Sequence, residues 1–498
     1  MKRWTRRGLL AGAAALAGAA AGRFLPPPAS DPGPAFPVLP DVGEDEGLIL
    51  NDASELSPVH VARHVTDAGD PGDPMVERMR TLLAEARASG QAVAPSAARH
   101  SMGGQSLPTR GLAITLQQEW LEADVAARTY RVAAGTRWST VIARLDEIGF
   151  SPAVMQSNND FGVASTFAVN AHGWPVPFSG CGATVRSLRM LLADGTLVTC
   201  SRTENTDLFR HAMGGYGLFG IITDLEMDMV ENRRLEPTFE RLAGTDLGSR
   251  FATLLATDKT IGMAYGRLDV SLDRFFEDGL LVTYRPASDQ SNLPRASGSG
   301  FVSHASRAIF RAQTGSDLAK HLRWWTEADI GPAIANAATR NTLMNEPVIT
   351  LDDRDPFRTD ILHEYFVAPE RFGDFVAMCR AVIPASYQQL LNITLRYVAA
   401  DRDSVLAYAP EPRIAAVMLF SQEKTMRAES DMARMTGELI DGVLAIGGSY
   451  YLPYRPHAAF AQLQSAYPAA ASFATFKRDV DKALVFRNQL WDGYFARF

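Results

Sequence analysis

The stretch ENTDLFRHAMGGYGLFGIITDLEMDMV, residues 204–230, decides how this chain is read. Within it, Gly215-x-Gly217-x-x-Gly220 has the spacing of a dinucleotide-binding turn. A Rossmann turn follows a strand and opens a helix, whose N-terminus holds the pyrophosphate. Here the order is reversed. Leu208 and Ala212, and Phe209 and Met213, recur at helical spacing before the glycines. After them Leu225, Met227 and Met229 alternate with Asp224, Glu226 and Asp228, which is a strand period. The motif runs helix, glycine turn, strand, and a Rossmann-type dehydrogenase is disfavoured. The glycines still let backbone approach something closely.

The chain has 498 residues, enough for two or three domains with a large core. It is 46% hydrophobic and 21% charged with a net charge of −7, so no broad basic surface for nucleic acid is implied. Cys181, Cys200 and Cys379 show no CxxC pairing, which argues against a disulfide framework or a structural zinc site. At the N-terminus, a basic start precedes an Ala/Gly/Leu run from Gly8 to Gly22 and then prolines, the layout of a signal peptide over residues 1–25. The run falls short of the roughly 20 residues of a spanning helix, so no integral membrane domain is expected. Thr5-Arg6-Arg7-Gly8-Leu9-Leu10 resembles a twin-arginine signal, which implies export to the periplasm. An ordinary secretory signal or a basic anchor is the alternative.

Residues 26–57 read as a linker, Pro/Gly/Asp-rich over 26–46. Over 58–232 short strands alternate with helices. TLLAEARASG ends at Gly90, STVIARLDEIG starts with Ser139 as its cap, and VRSLRMLLADGTLVTCS is a hairpin turning at Asp194-Gly195. Over 233–460 the strands MAYGRLDV, GLLVTY, ILHEYFV, ITLRYV and AAVMLF, with helices at 370–382 and 427–444, predict an antiparallel sheet flanked by helices. The expected fold class is α+β. Residues 286–300 read as a mobile loop, and the paired tryptophans of LAKHLRWWTEADI as core.

Two stretches carry chemistry. In SAARHSMGGQSLPTRG, residues 96–111, Gly103 and Gly104 can point successive N–H groups at an anion, with His100 just before the turn. In VMQSNNDFGVASTFAVNAHGWPVPFSGCGATV, residues 154–185, many small side chains let a flat or phosphorylated ligand lie on the backbone.

Taken in order, these pieces resemble the FAD-binding domain of the vanillyl-alcohol oxidase/PCMH flavoprotein family, which includes cytokinin dehydrogenases and sugar-alcohol and sugar-lactone oxidases. RHSMGGQ is similar to the family's GHSxxGQ loop, and FGVASTFAVNAHG to its TVGGTLxxNxHG segment. The hairpin 185–201 and the stretch 207–227 are similar to the two signatures that follow. The resemblance implies a two-part FAD-binding domain over 58–232, a substrate domain over 233–460, and a tail over 461–498 that returns to the flavin. It assigns cofactor binding to Ala98, Arg99, His100, Ser101, Met102, Gly103, Gly104, Gln105 and Ser106. It adds Gly162, Val163, Ala164, Ser165, Thr166, Asn170, His172 and Gly173, so that 96–106 and 162–173 would cradle the pyrophosphate, with Gly217 and Gly220 shaping the wall beside the cofactor and the backbone around Ile222 meeting the adenine. Gly215 would shape the same wall. Arg99 replaces the family's usual Gly, and Ala164-Ser165 replace Gly-Gly. His100 aligns with a position that in many relatives is bonded covalently to the flavin, so a covalent link is expected, with noncovalent FAD beside His100 as the alternative. In the tail Asp481, Phe486 and Asn488 match a segment like DPxxxFxN, with Lys482 in place of proline. Arg455, Pro456 and His457 match part of the RPHW(G/A)K motif of sugar-lactone and alditol oxidases, but Ala458 replaces its tryptophan.

Flavin oxidation of a small molecule needs a pocket where the second sheet covers the flavin ring. Asn392, Thr394 and Arg396 share one strand face, and Glu364 sits on a largely apolar strand. Relatives place an acid and an arginine at about these strands. The expected catalytic residues are Glu364, Arg396, Arg455 and Lys477, with Tyr451, Tyr454 and His457 as secondary candidates. The reading is an exported FAD-dependent enzyme that oxidises a CH–OH group of a sugar, polyol or lactone. Its electron acceptor, whether oxygen, a quinone or a cytochrome, is left open. Amine oxidation, as in cytokinin dehydrogenases, and flavin binding without turnover are the rivals. No G-x-S-x-G elbow favours a hydrolase, and no HExxH spacing favours a metalloenzyme.

Overall fold

The computed structural model describes residues 48–298, 310–346 and 355–498. The expected signal peptide and residues 26–47 of the expected linker lie outside the described residues. The rest of that linker is structured. β1 (Leu48–Leu50) pairs antiparallel with β2 (Val59–Val61), and the connection between them packs into the body of the protein.

Three parallel strands follow, β3 (Arg63–Asp67), β4 (Val93–Ser96) and β5 (Leu112–Leu116), with β5 in the middle. The crossover from β3 to β4 is the helix Asp73–Ser89. It buries Met75, Val76, Met79, Leu82, Leu83 and Ala86, apolar positions at three- and four-residue spacing, and ends at Gly90 with φ of 66°. A second sheet contains β6 (Leu121–Asp124), β7 (Thr129–Ala133), β8 (Phe150–Pro152), β9 (Val185–Leu191), β10 (Leu197–Ser201) and β11 (Ile221–Glu231). Its order is β10-β9-β11-β7-β6, with β8 also paired to β11.

The stretch 204–230 folds as its periodicity requires. The helix Thr206–Ala212 leads through the glycines into β11, which buries Leu225, Met227 and Met229. Asp224 is buried as well, between Arg131 (2.6 Å) and Arg189 (2.8 Å), so its charge is paired. Ser139 does not cap its helix. The element begins at Trp138 with Arg137 at the N-cap, because Arg137 is bridged to Gly162 and the N–H of Ser139 donates to the carbonyl of Asn159.

The third sheet has eight strands: β12 (Arg234–Ala243), β13 (Met263–Leu268), β14 (Asp278–Pro286), β15 (Ala338–Thr339), β16 (Arg358–Val367), β17 (Gln389–Val398), β18 (Arg413–Glu423) and β19 (Ser449–Tyr450). Their order is β15-β12-β14-β13-β17-β18-β16-β19, and every pairing is antiparallel. The helices Phe372–Val382 and Met426–Ala445 contact each other, and the second also packs on β16, β18 and β19. Within the expected loop 286–300, Pro286 ends β14 and the described residues after it have no regular structure, yet Arg234 anchors them by donating to Asp289, Ser291 and Asn292. Of the paired tryptophans only Trp324 is buried; Trp325 is 51% exposed.

Candidate active site

A cavity of about 430 Å³ lies between the two N-terminal sheets' loops and the inner face of the eight-stranded sheet. That size is in the range of small-molecule and cofactor sites. Residues 95–101 follow β4 into it, and 156–174 supply small side chains from the loop and short helix after β8. Tyr216, Gly217, Gly220 and Ile222 close the part next to β11. Glu364, Asn392, Thr394 and Arg396 face it from β16 and β17.

Many sequence-derived positions line this space: Ala98, Arg99, His100, Ser101, Gln105, Ser106, Gly162, Ala164, Ser165, Thr166, His172, Gly217, Gly220, Ile222, Glu364 and Arg396. Tyr451 and Tyr454 line it as well. Gly217 has φ of 72° and faces Pro95, so the glycine turn brings backbone to the cavity in a left-handed conformation. Gly215 and Gly220 serve packing, because a Cβ on Gly215 would strike the carbonyl of His211 and one on Gly220 would lie 2.6 Å from that of Leu191.

Other expected residues stand behind the lining. The amides of Gly103 and Gly104 do not face the cavity. Gly104 donates to the carboxylate of Asp52 at 2.7 Å and Gly103 to Oε1 of Gln105 at 2.9 Å. The two amides are therefore taken up by side chains of the protein itself, a buried carboxyl and a carboxamide. Met102 ties the loop to the tail half of the protein through its N–H and the carbonyl of Pro453 (2.8 Å). Val163 is fully buried, and a side chain on Gly173 would collide with the carbonyl of Met155. Asn170 accepts from the N–H of Gly182 and donates to Asp401, so it braces the 162–182 loop. Asn488 donates to the carbonyls of Gln105 (2.6 Å) and Tyr216 (2.9 Å), joining the tail to two segments of the lining.

Arg455 and Lys477 lie outside the lining, contrary to the expectation from sequence. Arg455 pairs with Glu429 and donates to the carbonyl of Leu56 and the hydroxyl of Ser57. His457 joins the same carboxylate at 2.8 Å. Lys477 is wholly buried against Asp481, whose carboxylate also accepts from the N–H groups of Val485 and Phe486. Burial pushes the Lys477 ammonium down to about 8, against the pull of Asp481. This pair builds the start of the tail and does not reach the cavity.

The chemistry of the cavity centres on Glu364. Its Oε1 meets Nε2 of His172, and its Oε2 accepts from the hydroxyl of Tyr454 at 3.1 Å. Burial pushes the carboxyl up, but His172, the nearby Arg396 and the Tyr454 hydrogen bond outweigh it and hold it below its ordinary value. Burial raises Tyr454 well above the usual phenol range, so it stays a donor. Arg396 is fixed by the carbonyl of His172 (3.1 Å) and the hydroxyl of Ser157 (2.6 Å). The result is an anchored, ionised carboxylate facing the cavity.

Several cavity residues have buried polar atoms without hydrogen-bond partners: Nη1 of Arg99, Oγ of Ser106, Nδ1 of His172, Nε1 of Trp174 and Nε of Arg396. Orphaned donors along a small-residue cradle fit a ligand with phosphates and a polar ring system. Arg99 and Ser106 are suited to the phosphates, and 156–172 with Tyr216 and Trp174 to a ring system. His100 lines the wall with its ring 4.2 Å from that of Phe161 and Nε2 3.7 Å from Asp160.

Sequence reasoning missed Trp174, Tyr216, Arg267 and Asp52. Arg267 is a charged residue at strand period inside the apolar run MAYGRL, a signal that was there to be read. Asp52 had none, since it lies in a stretch with linker composition.

Residues 75–201 match the family described as FAD binding domain. Among curated proteins the chain is 29% identical over 217 residues to cytokinin dehydrogenase 7 of Oryza sativa subsp. japonica, covering 41% of each protein. It is 28% identical over 222 residues to cytokinin dehydrogenase 2 of Arabidopsis thaliana, covering 42% of this chain and 43% of that one. It is 32% identical over 119 residues to the alditol oxidase of a Streptomyces species, covering 24% of this chain and 27% of the relative. The matched region thus spans about two fifths of the length of the two dehydrogenases.

Proposed function

We propose, from the PCMH-type FAD-binding domain that this chain carries, that the protein is an FAD-dependent oxidoreductase acting on a CH–OH group of a small polar substrate. The observation that carries the reading is the buried, ionised Glu364, held at the cavity wall by His172 of the 162–173 loop and by Tyr454. FAD, when bound, supplies a hydride acceptor. The substrate carbon gives up a hydride, its hydroxyl gives up a proton, and a carbonyl is left. Glu364 receives the proton, His172 and Tyr454 fix the carboxylate's position, and Arg396 stabilises negative charge that develops on the substrate oxygen.

Arginines at the substrate end suit an oxygen-rich or anionic molecule better than a cationic amine. Amine oxidation is the second reading, supported by the similarity to cytokinin dehydrogenases. Anaerobic addition of polyols, sugars and lactones, with amines in parallel, tests the proposal. Bleaching of the flavin by a CH–OH compound is expected; bleaching by an amine alone would refute it. Two further parts belong to this proposal. A covalent bond from His100 to the flavin leaves the colour in the acid-precipitated pellet, and His100→Ala moves it to the supernatant. Export through the twin-arginine route makes periplasmic delivery depend on Arg6 and Arg7.

A further inference from the structure

Arg267 stands on β13 directly opposite Thr394 of β17. It therefore shares a sheet face with Asn392, Thr394 and Arg396, and all four line the cavity. Its Nε donates to Oε1 of Glu327 at 2.8 Å, and its Nη1 reaches Thr394 and, at 3.5 Å, Oδ1 of Asn392. Its Nη2 donates no hydrogen bond among the described residues.

The charge around it is unbalanced. Glu327 serves two guanidiniums, since Arg323 also reaches it at 3.2 Å. Glu364 is the acid of Arg396's surroundings and is already bound to His172 and Tyr454. Arg267 and Arg323 thus share the one carboxylate of Glu327, which leaves each only partly compensated. Glu346, which also lines the cavity, makes no ion pair with any of these arginines among the described residues. A largely buried guanidinium that shares its carboxylate gains from an anion that completes it. A planar fork with an open N–H is the group that carboxylates fit best.

We infer that the substrate carries a carboxylate at its non-reacting end and that Arg267 is its anchor. The substrate is then a hydroxylated carboxylate, such as a sugar acid, in place of a neutral polyol or lactone. This rests on the proposed oxidation of a CH–OH group and names the substrate class for it.

Matched pairs that differ in one group test the inference: D-gluconate against sorbitol, and D-xylonate against xylitol. The full-length, FAD-loaded protein is titrated with each, and both the perturbation of the flavin's visible spectrum and anaerobic bleaching are read. The aldonates are expected to bind at least about ten-fold more tightly than the alditols. Arg267→Gln removes that preference by raising KM or Kd for the aldonates at least about ten-fold more than for the alditols, and Arg267→Lys restores part of it. Alditols that bind as well as aldonates, or an Arg267→Gln variant that weakens both alike, would overturn the assignment. Carboxylates that shift the spectrum through Arg267 without bleaching it would leave the anchor standing and defeat the oxidation reading. No spectral change with either carboxylate would defeat the anchor even if alditols bleach the flavin.

Discussion

The carboxylate of Asp52 accepts a hydrogen bond from the N–H of Gly104 at 2.7 Å, within the loop whose glycines were expected to face a phosphate. The same carboxylate accepts from the N–H (3.0 Å) and hydroxyl (2.6 Å) of Ser54. The segment 51–57 also reaches β16, through the carbonyl of Ser54 and Thr359, and Arg455, through Leu56 and Ser57. A stretch just before the FAD-binding domain therefore fixes the back of the His100 loop. Asp52→Ala leaves a buried N–H unpaired and is expected to cost about 1–3 kcal/mol of stability. Urea unfolding of the FAD-loaded variant should show this, together with faster loss of FAD; unchanged stability and retention would contradict it.

Arg99 has φ of 53°, a conformation that glycine adopts without strain. The family's usual glycine at this position has a physical reason, and arginine here bears a strain of about 1–3 kcal/mol. Its guanidinium lines the cavity with a buried Nη1 that has no partner. Arg99→Gly is expected to stabilise the FAD-free protein while weakening FAD binding by about ten-fold or more. Thermal melts with and without FAD separate the two effects.

Glu364→Gln keeps the size of the side chain and removes the carboxylate proposed as proton acceptor. A loss of about 10²–10⁴-fold in the rate of flavin reduction is expected, with FAD binding preserved. Because the Glu364 carboxyl is held below its ordinary value, the wild-type reduction rate should remain high on going down in pH until below the usual carboxylate range. Stopped-flow reduction across pH provides the check, and a variant as fast as wild type would exclude Glu364 as the acceptor.

Glu429 supplies a pH dependence of stability independent of catalysis. Burial pushes its carboxyl up, but hydrogen bonds and charge from His457 and Arg455 bring it down to about 2 from 4.5. The native pKa is depressed, so the stabilisation is fully present above about pH 4.5 and is lost as pH falls towards 2. In that window the unfolded chain binds a proton that the native chain does not. The contribution is on the order of 3 kcal/mol. Denaturation midpoints should fall more steeply with acid in wild type than in Glu429→Gln.

Much of the site could be read from sequence because its pieces are local. Loops 96–106 and 162–173 declare themselves by clustered small residues, and Asn392, Thr394 and Arg396 by strand alternation. Their convergence on one cavity depends on pairing between strands far apart in sequence, such as β13 with β17. That pairing is why the strand period of Arg267 did not by itself place it at the cavity, whereas Arg455, next to the lining in sequence, is drawn away by Glu429 and the 56–57 segment. Lys477 was misjudged for a different reason. Its partner Asp481 lies four residues on in the same segment, a spacing that already marks a local ion pair.

The most direct measurement is the visible absorbance of the natively isolated full-length protein, repeated after addition of FAD, beside an Ala164→Trp variant. Ala164 lines the cavity from a short helix of the buried core, so a large side chain there competes with a ligand for the space, and the variant is compared only after its melting transition shows that it folds. Wild-type protein is expected to carry a single bound flavin per chain, and the folded variant none. Colourless wild-type protein that takes up no FAD, or a variant that binds it equally well, would contradict the assignment of this cavity.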